Sequence, residues 1–255
     1  MLTVIVEDGA DPAWNLALDE ALLRSAAAPP GRGAWDRAGT GPLLRVWQNA
    51  PSVLIGRFQN LTRAVDLAAC ARDGVPVVRR GSGGGAVHTG PGTLLFSLVR
   101  PAAPRDARPP LDALVAAAVA TLGPPAAALG DGTIATARMR TRHAELVQVA
   151  VHVSDVASGA AHLAAGPQPT LAGHGPPVSL DAVRAAVLCG AVEEYGIAAA
   201  RRPDRHELDL QRRLHARRYG DPGWQLNGVE ARDGPSGGPS GGRPHRIGAY
   251  PSARR

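Results

Sequence analysis

Two spacings of apolar positions recur along the chain, one near two residues and one near three and a half, and they alternate. Leu2–Val6 has the short alternation of a strand. Asp11 followed by Pro12 supplies an N-cap and a proline suited to a first helical turn. Beyond them Trp14, Leu18, Ala21 and Leu22 share one helical face, which predicts a helix. Leu43–Trp47 and Ser52–Ile55 read as two strands joined by a turn at Pro51. Val65–Arg72 reads as a short helix stopping near Gly74, and Pro76–Val78 and Thr93–Val99 as strands. Residues 111–122 and 180–195 have helical character, and Glu145–Val153 that of a strand. A last amphipathic helix over about 205–219 ends at Tyr219-Gly220. Between 130 and 180 the pattern predicts little besides the one strand. Adjacent early strands with interspersed helices imply an α+β domain and not a regular βαβ array.

The folded part is expected to run from 1 to 228. From 229 to 255 the chain turns to a repeated Pro-Ser-Gly-Gly unit and several Arg, which reads as a disordered basic tail. A chain of 255 residues needs no disulfide or metal staple to bury an adequate core. Aromatic residues make up only 4%, so that core must be Val, Leu, Ile and Ala. No apolar run reaches the ~18 residues of a membrane span, and the start lacks the basic and apolar regions of a signal peptide. A cytoplasmic protein without a membrane partner is the expectation. Cys70 and Cys189 are too few for a disulfide framework, and both are expected to be buried. The eight histidines show no metal-ligand spacing, so no metal site is expected; His206 and His215 are expected to face solvent.

All 28 basic residues are Arg; the chain contains no Lys. That excludes a Schiff base, a P-loop lysine and a lysine nucleophile. The net charge of +6 suggests nucleic acid, but the arginines are scattered and few aromatics are present to stack bases.

The most informative segment is Arg79-Arg80-Gly81-Ser82-Gly83-Gly84-Gly85-Ala86-Val87-His88. It lies between two predicted strands and reads as a strand–loop–strand hairpin. A Rossmann or Walker loop would need a following helix. Consecutive glycines are entropically costly and bring no packing. They make sense where main chain passes close to a ligand with its amides turned toward an anion. The paired arginines add charge suited to carboxylate or phosphate.

Four blocks together carry a resemblance to a known family. They are Asn15-Leu-Ala-Leu-Asp19-Glu20-Ala21; Val53-Leu-Ile-Gly56-Arg57-Phe58-Gln59-Asn60; Arg79 through Ser97; and Arg218-Tyr219-Gly-Asp-Pro-Gly-Trp224. In this order they resemble the lipoate–protein ligase A and octanoyltransferase group of the biotin/lipoyl protein ligases. The resemblance implies a mixed, largely antiparallel sheet flanked by helices, related to class II aminoacyl-tRNA synthetases. It also implies joining lipoate or octanoate to ATP's α-phosphate with Mg²⁺, then passing the acyl group to a lysine of a lipoyl carrier domain. Carriers of that kind are the glycine-cleavage H protein and the 2-oxoacid dehydrogenase E2 component. By the same resemblance Arg57, Arg79, Arg80, Ser82, Gly83, Gly84, Gly85, Ala86, Gly159 and Ala161 border the acyl-adenylate. Val53, Leu54, Val77, Val87, Leu95 and Phe96 are candidates to line or underlie an apolar trough.

The sequence departs from the family at several points. Its lysine motif, Lys-[Val/Ile]-x-Gly-x-Ala, is best matched by Val156-Ala-Ser-Gly159-Ala-Ala161, so Val156 stands where the lysine should be. Arg138, Arg140 and Arg142 are candidates to return charge to the site. His174-Gly175 resembles the family's later His-Gly, and His88-Thr89 displaces its aromatic-His pair by one position. Two readings besides a ligase follow: a non-catalytic member that keeps the acyl or nucleotide pocket, and an octanoyltransferase. The sequence opposes the last, because that branch also keeps the lysine.

Overall fold

The computed structural model describes residues 1–6, 8–27, 41–102, 110–130, 132–154, 161–196 and 198–230. Val156, Gly159 and the tail from 231 onward lie outside the described residues. The strands are β1 (Leu2–Ile5), β2 (Leu43–Trp47), β3 (Ser52–Ile55), β4 (Val77–Arg79), β5 (Val87–Thr89), β6 (Thr93–Pro101), β7 (Ile134–Arg140), β8 (Ala144–His152) and β9 (Ala198–Arg201). The helices are α1 (Pro12–Ala26), α2 (Leu61–Ala64), α3 (Leu67–Asp73), α4 (Leu111–Ala120), α5 (Leu180–Tyr195), α6 (Arg205–Leu214) and α7 (Pro222–Asn227). A π-helical turn, His215–Tyr219, prolongs α6.

Six strands form one mixed sheet in the order β7-β8-β6-β2-β1-β9. Its β1–β2 and β1–β9 pairs are parallel and its β2–β6, β6–β8 and β7–β8 pairs antiparallel. A second sheet, β4-β3-β5, lies against it. Side-chain alternation sorts the large sheet's two faces. Leu94, Phe96 and Leu98 of β6 and Val147, Val149 and Val151 of β8 pack under α4 and α5. On the opposite face Leu95 and Ala150 meet α1 together with Leu54 and Val78 of the small sheet. Because β6 is covered on both faces, its sequence is apolar at nearly every position.

The mixed, helix-flanked α+β architecture is the expected one, and Asp11 caps α1 as its sequence predicts, accepting from Trp14 N–H at 2.9 Å. Several local expectations change. The strands expected on either side of the glycine run, 76–78 and 93–99, do not pair as a hairpin: β4 lies in the small sheet and β6 in the large one, and an unexpected strand β5 follows the loop and pairs antiparallel with β3. Likewise β2 and β3, expected as joined neighbours, belong to different sheets. The helix expected over 65–72 starts two residues later, at Leu67, because Val65 bridges Leu163 in extended conformation; it ends at Gly74 as expected. Strands β5, β7 and β9 have no counterpart in the sequence pattern. Cys70 is buried as expected, whereas Cys189 is exposed, in the groove between α4 and α5. His215 is not solvated but half-buried, stacked on Trp14 with ring centroids 4.0 Å apart.

Candidate functional site

The glycine loop is held by a buried polar network that begins in α1. Asp19 Oδ1 accepts from Arg45 at 3.0 Å, and its Oδ2 accepts from Ser97 Oγ at 2.5 Å and Gln148 Nε2 at 2.7 Å. Gln148 Oε1 in turn accepts from Ser82 Oγ at 2.8 Å. Asn15 binds the same Arg45 guanidinium and donates to Asn49, which donates to Thr89. Next to Asp19, Glu20 accepts from both Arg218 and Tyr219 at 2.6 Å, and from Arg24. Burial and the neighbouring Glu20 carboxylate push the Tyr219 hydroxyl up in pKa, so it stays a donor. The acids of the first sequence block therefore anchor the loop on one side and the C-terminal block on the other.

Arg79 points inward. Its guanidinium donates to the carbonyls of Gly56, Arg57, Gln59, Trp224, Gln225 and Leu226. Trp224 Nε1 donates back to the Arg79 carbonyl at 3.0 Å. This side chain joins the second, third and fourth blocks into one unit. Arg80 is buried too, donating to the carbonyls of Leu54, Gly83 and Gly85 at 2.8–3.0 Å. Burial lowers its pKa to about 10, so it remains charged at neutral pH. Both arginines shape the loop through carbonyl oxygens. Arg57 is exposed, its guanidinium lying over Phe58 and Trp224.

The loop curls over β3. A Cβ on Gly56 would stand 2.0 Å from the Gly84 carbonyl oxygen, so only glycine permits this approach. Gly84 itself has φ +96°, a conformation costly for residues with a side chain. Among the described residues the amides of Gly83, Gly84 and Gly85 have no hydrogen-bond partner. They remain available to an anion.

Beneath the loop, between the two sheets, is a cleft of about 340 Å³. Leu54, Val87, Leu95, Ala135, Ala150 and Leu163 give it apolar walls. Arg80, Gly85, Ala86, Gln148, His152 and Gln168 supply its polar atoms. Of the expected trough residues Leu54, Val87 and Leu95 line it, while Val53, Val77 and Phe96 do not. Val53 and Phe96 are core residues behind it. Of the expected loop residues Arg80, Gly85 and Ala86 border the cleft. Ser82 reaches the cleft only through Gln148, Arg79 points away into the 56–59 and 224–226 main chain, and Ala161 is exposed. Arg138 is exposed and paired with Asp112; Arg140 and Arg142 are also exposed, and none of the three lines the cleft. His174-Gly175 does not reach it either; the later segment that does is Gly166–Pro169.

Gln148, His152 and Gln168 were missed as site residues. The alternation of β8 puts 148, 150 and 152 on one face, but only knowledge of the sheet order shows that face to be the cleft. Gln168 pairs with the main chain of His88 through both ends of its amide, at 3.0 and 2.7 Å. Among the described residues no carboxylate lines the cleft and no group of three or more His, Cys, Asp or Glu can hold a metal ion. The described residues do not fit a protein-built magnesium cage. No described helix is long and apolar enough to cross a membrane.

A glycine loop at the rim of a mostly apolar inter-sheet cleft, tied through Gln148 to the Asp-Glu pair on the first helix, is the centre of this α+β domain. Residues 11–147 match the family model of the lipoyl protein ligase A/B catalytic domain, and the chain belongs to that family. It is similar to a candidate lipoate protein ligase from T. acidophilum with bound lipoic acid, at 25% identity and a TM-score of 0.72, over 89% of this chain and 99% of that one. A second similar structure is a bi-partite lipoate protein ligase studied with its E2 lipoyl domain, from Thermoplasma acidophilum. It is 24% identical, with a TM-score of 0.70, over 91% of this chain and 98% of that one. A lipoate-protein ligase A bound with ATP shares the fold at 24% identity and a TM-score of 0.69, over 89% and 99% of the two chains.

Proposed function

We propose that this protein binds lipoate or octanoate in the inter-sheet cleft and attaches it to a lysine of a lipoyl carrier domain through an acyl-adenylate. The observation that carries the reading is the cleft itself: walled mostly by apolar side chains, bordered by a glycine loop whose amides have no partner among the described residues, and lined in part by the second and third blocks of the resemblance. In the first step the ligand carboxylate attacks the α-phosphorus of ATP and pyrophosphate leaves. In the second the carrier's lysine amine attacks the acyl carbonyl and AMP leaves. The chain's own contribution is positional: apolar walls hold the acyl chain, and the amides of Gly83–Gly85 face developing negative charge. Any Mg²⁺ would arrive on the nucleotide phosphates. E2 and H-protein lipoyl domains are the partners this reading implies.

A second reading, an acyl-binding member that does not catalyse, is favoured by two observations. The chain has no lysine to offset charge at the phosphate, and the terminal nitrogens of Arg80 are engaged by main-chain carbonyls. One electrostatic donor of this kind is worth ~10²–10³ in rate. Incubation with lipoate, ATP and a lipoyl domain, with mass detection of the acylated carrier, should give turnover at least ~10²-fold below that of a lysine-bearing ligase. Val156→Lys should raise it. Lipoate binding without carrier acylation by either protein selects the second reading; absence of binding sinks both.

A further inference from the structure

Among the described residues that line the cleft, two buried side-chain atoms lack a hydrogen-bond partner: Arg80 Nε and His152 Nε2. Arg80 Nε is necessarily a donor. The role of His152 Nε2 follows from its neighbours. Gln168 is fixed in orientation, because its Oε1 accepts from His88 N–H and its Nε2 donates to the His88 carbonyl. That same Nε2 lies 2.9 Å from His152 Nδ1, so Nδ1 must accept. Thr93 Oγ1, 3.2 Å away, can donate to it as well. A neutral imidazole accepting at Nδ1 carries its proton at Nε2. Burial and the nearby His88 hold His152 neutral, its pKa pulled down to about 4. The ring is therefore an uncharged Nε2–H donor with nothing to donate to, fully buried in the wall of an apolar cleft. A buried unsatisfied donor is disfavoured, and in a ligand site it marks where a ligand supplies the acceptor.

We propose that His152 is a specificity-determining residue whose Nε2–H donates to an oxygen of the acyl ligand's carboxyl group. The proposal rests on the reading of the cleft as an acyl site. It adds that the head recognised there is an oxygen acceptor, either a carboxylate or the carbonyl of an activated acyl group. A cationic head on the same chain is excluded, since both unpartnered atoms are donors.

Calorimetric titration of the full chain with octanoate and with octylammonium tests this. Octanoate should bind and octylammonium should not. His152→Phe should weaken octanoate about 10- to 100-fold. His152→Gln, whose amide nitrogen can take the place of Nε2, should stay within about fivefold. Long-range ¹H–¹⁵N spectra of the wild-type imidazole should show the Nε2–H tautomer, with its signal moving when octanoate is added. If octanoate binds and His152→Phe binds it equally well, the donor faces only water and the proposal fails while the acyl site stands. An Nδ1–H tautomer, or octylammonium binding as tightly as octanoate, likewise overturns it. No octanoate binding by wild type removes the acyl site and the proposal together. The tautomer measurement needs no variant, so a misfolded substitution cannot obscure the answer.

Discussion

Asp19 and Arg45 are each only about 1% exposed, and the charge of each is balanced by the other and by the amide and hydroxyl groups around them. Taking one charge away leaves its partner buried and uncompensated, which typically costs 3–5 kcal/mol, far more than the intact pair contributes. Asp19→Asn keeps the shape but replaces an acceptor oxygen with an NH₂ that faces donors. We expect it to lower the unfolding free energy in urea by about 3 kcal/mol or more. Octanoate affinity should fall too, because Gln148 and Ser82 lose their common anchor. A change under about 1 kcal/mol would show that the network is dispensable. These acids were legible in the sequence only as a likeness. Apart from Arg24, one helical turn from Glu20, their partners lie 26 to 199 positions away, at Arg45, Ser97, Gln148, Arg218 and Tyr219, and no local pattern connects them.

At the scale of elements, spacing along the chain recovered most strands and helices but not which of them are neighbours. The strand-like runs at 76–78 and 93–99 are compatible with a hairpin, and also with strands of two different sheets. The structure takes the second arrangement: β3 is buried throughout and has a strand on each side, β4 and the short β5 that follows the loop. Strand β7 escaped detection because its residues are half-buried or exposed and carry Arg at 138 and 140, so its pattern is weak. The arrangement around β3 explains the loop's glycines better than flexibility does. Gly56 and Gly84 are needed where two turns touch, not merely where a ligand passes. Gly56→Ala puts a methyl 2.0 Å from the Gly84 carbonyl, so the loop must retreat from β3 and carry Arg80's acceptors with it. Expected results are at least a tenfold loss of octanoate affinity and a melting temperature lower by several degrees, in keeping with ~1–3 kcal/mol of overpacking strain. Wild-type affinity in this variant would mean that the loop and the cleft are uncoupled.

For the molecule as a whole, stability depends on both the chain's end and the pH. Arg218 bridges Glu20 inside and Glu230 at the rim, the latter at 2.8 Å with Glu230 partly exposed. A half-exposed pair contributes under about 1 kcal/mol. Truncation after Glu230 should leave the melting temperature within a degree or two, because residues 231–255 are rich in Gly, Pro, Ser and Arg with little to bury. Truncation before Val229 should lower it by a further 2 °C or so.

The pH dependence turns on His152. Its pKa is depressed from 6.5 to about 4 by burial and by the positive charge that His88 can carry. In the unfolded chain the imidazole takes up a proton near pH 6.5; in the fold it stays neutral until about pH 4. Between those values the unfolded state binds more protons, so stability must fall as the pH falls. Above pH 6.5 both states are neutral and this group contributes no slope. Integrated across the window, the shift amounts to roughly 3 kcal/mol lost on going from pH 7 to pH 4. The carboxylates add their own acid sensitivity, so the informative quantity is a difference between two proteins. His152→Gln removes the titrating ring while keeping an amide able to donate where Nε2 stands. Its unfolding free energy, measured in urea at half-unit steps, should run parallel to wild type above pH 6.5. Below that it should lose less, the gap widening to about 2–3 kcal/mol at pH 4. Parallel curves down to pH 4 would mean that the folded protein protonates this ring as readily as the unfolded chain does. A charged imidazole would then face the cleft in mild acid, holding carboxylates more tightly as the pH drops. With a neutral donor, affinity for octanoate should instead stay flat between pH 7.5 and 6, where the acid itself remains ionised.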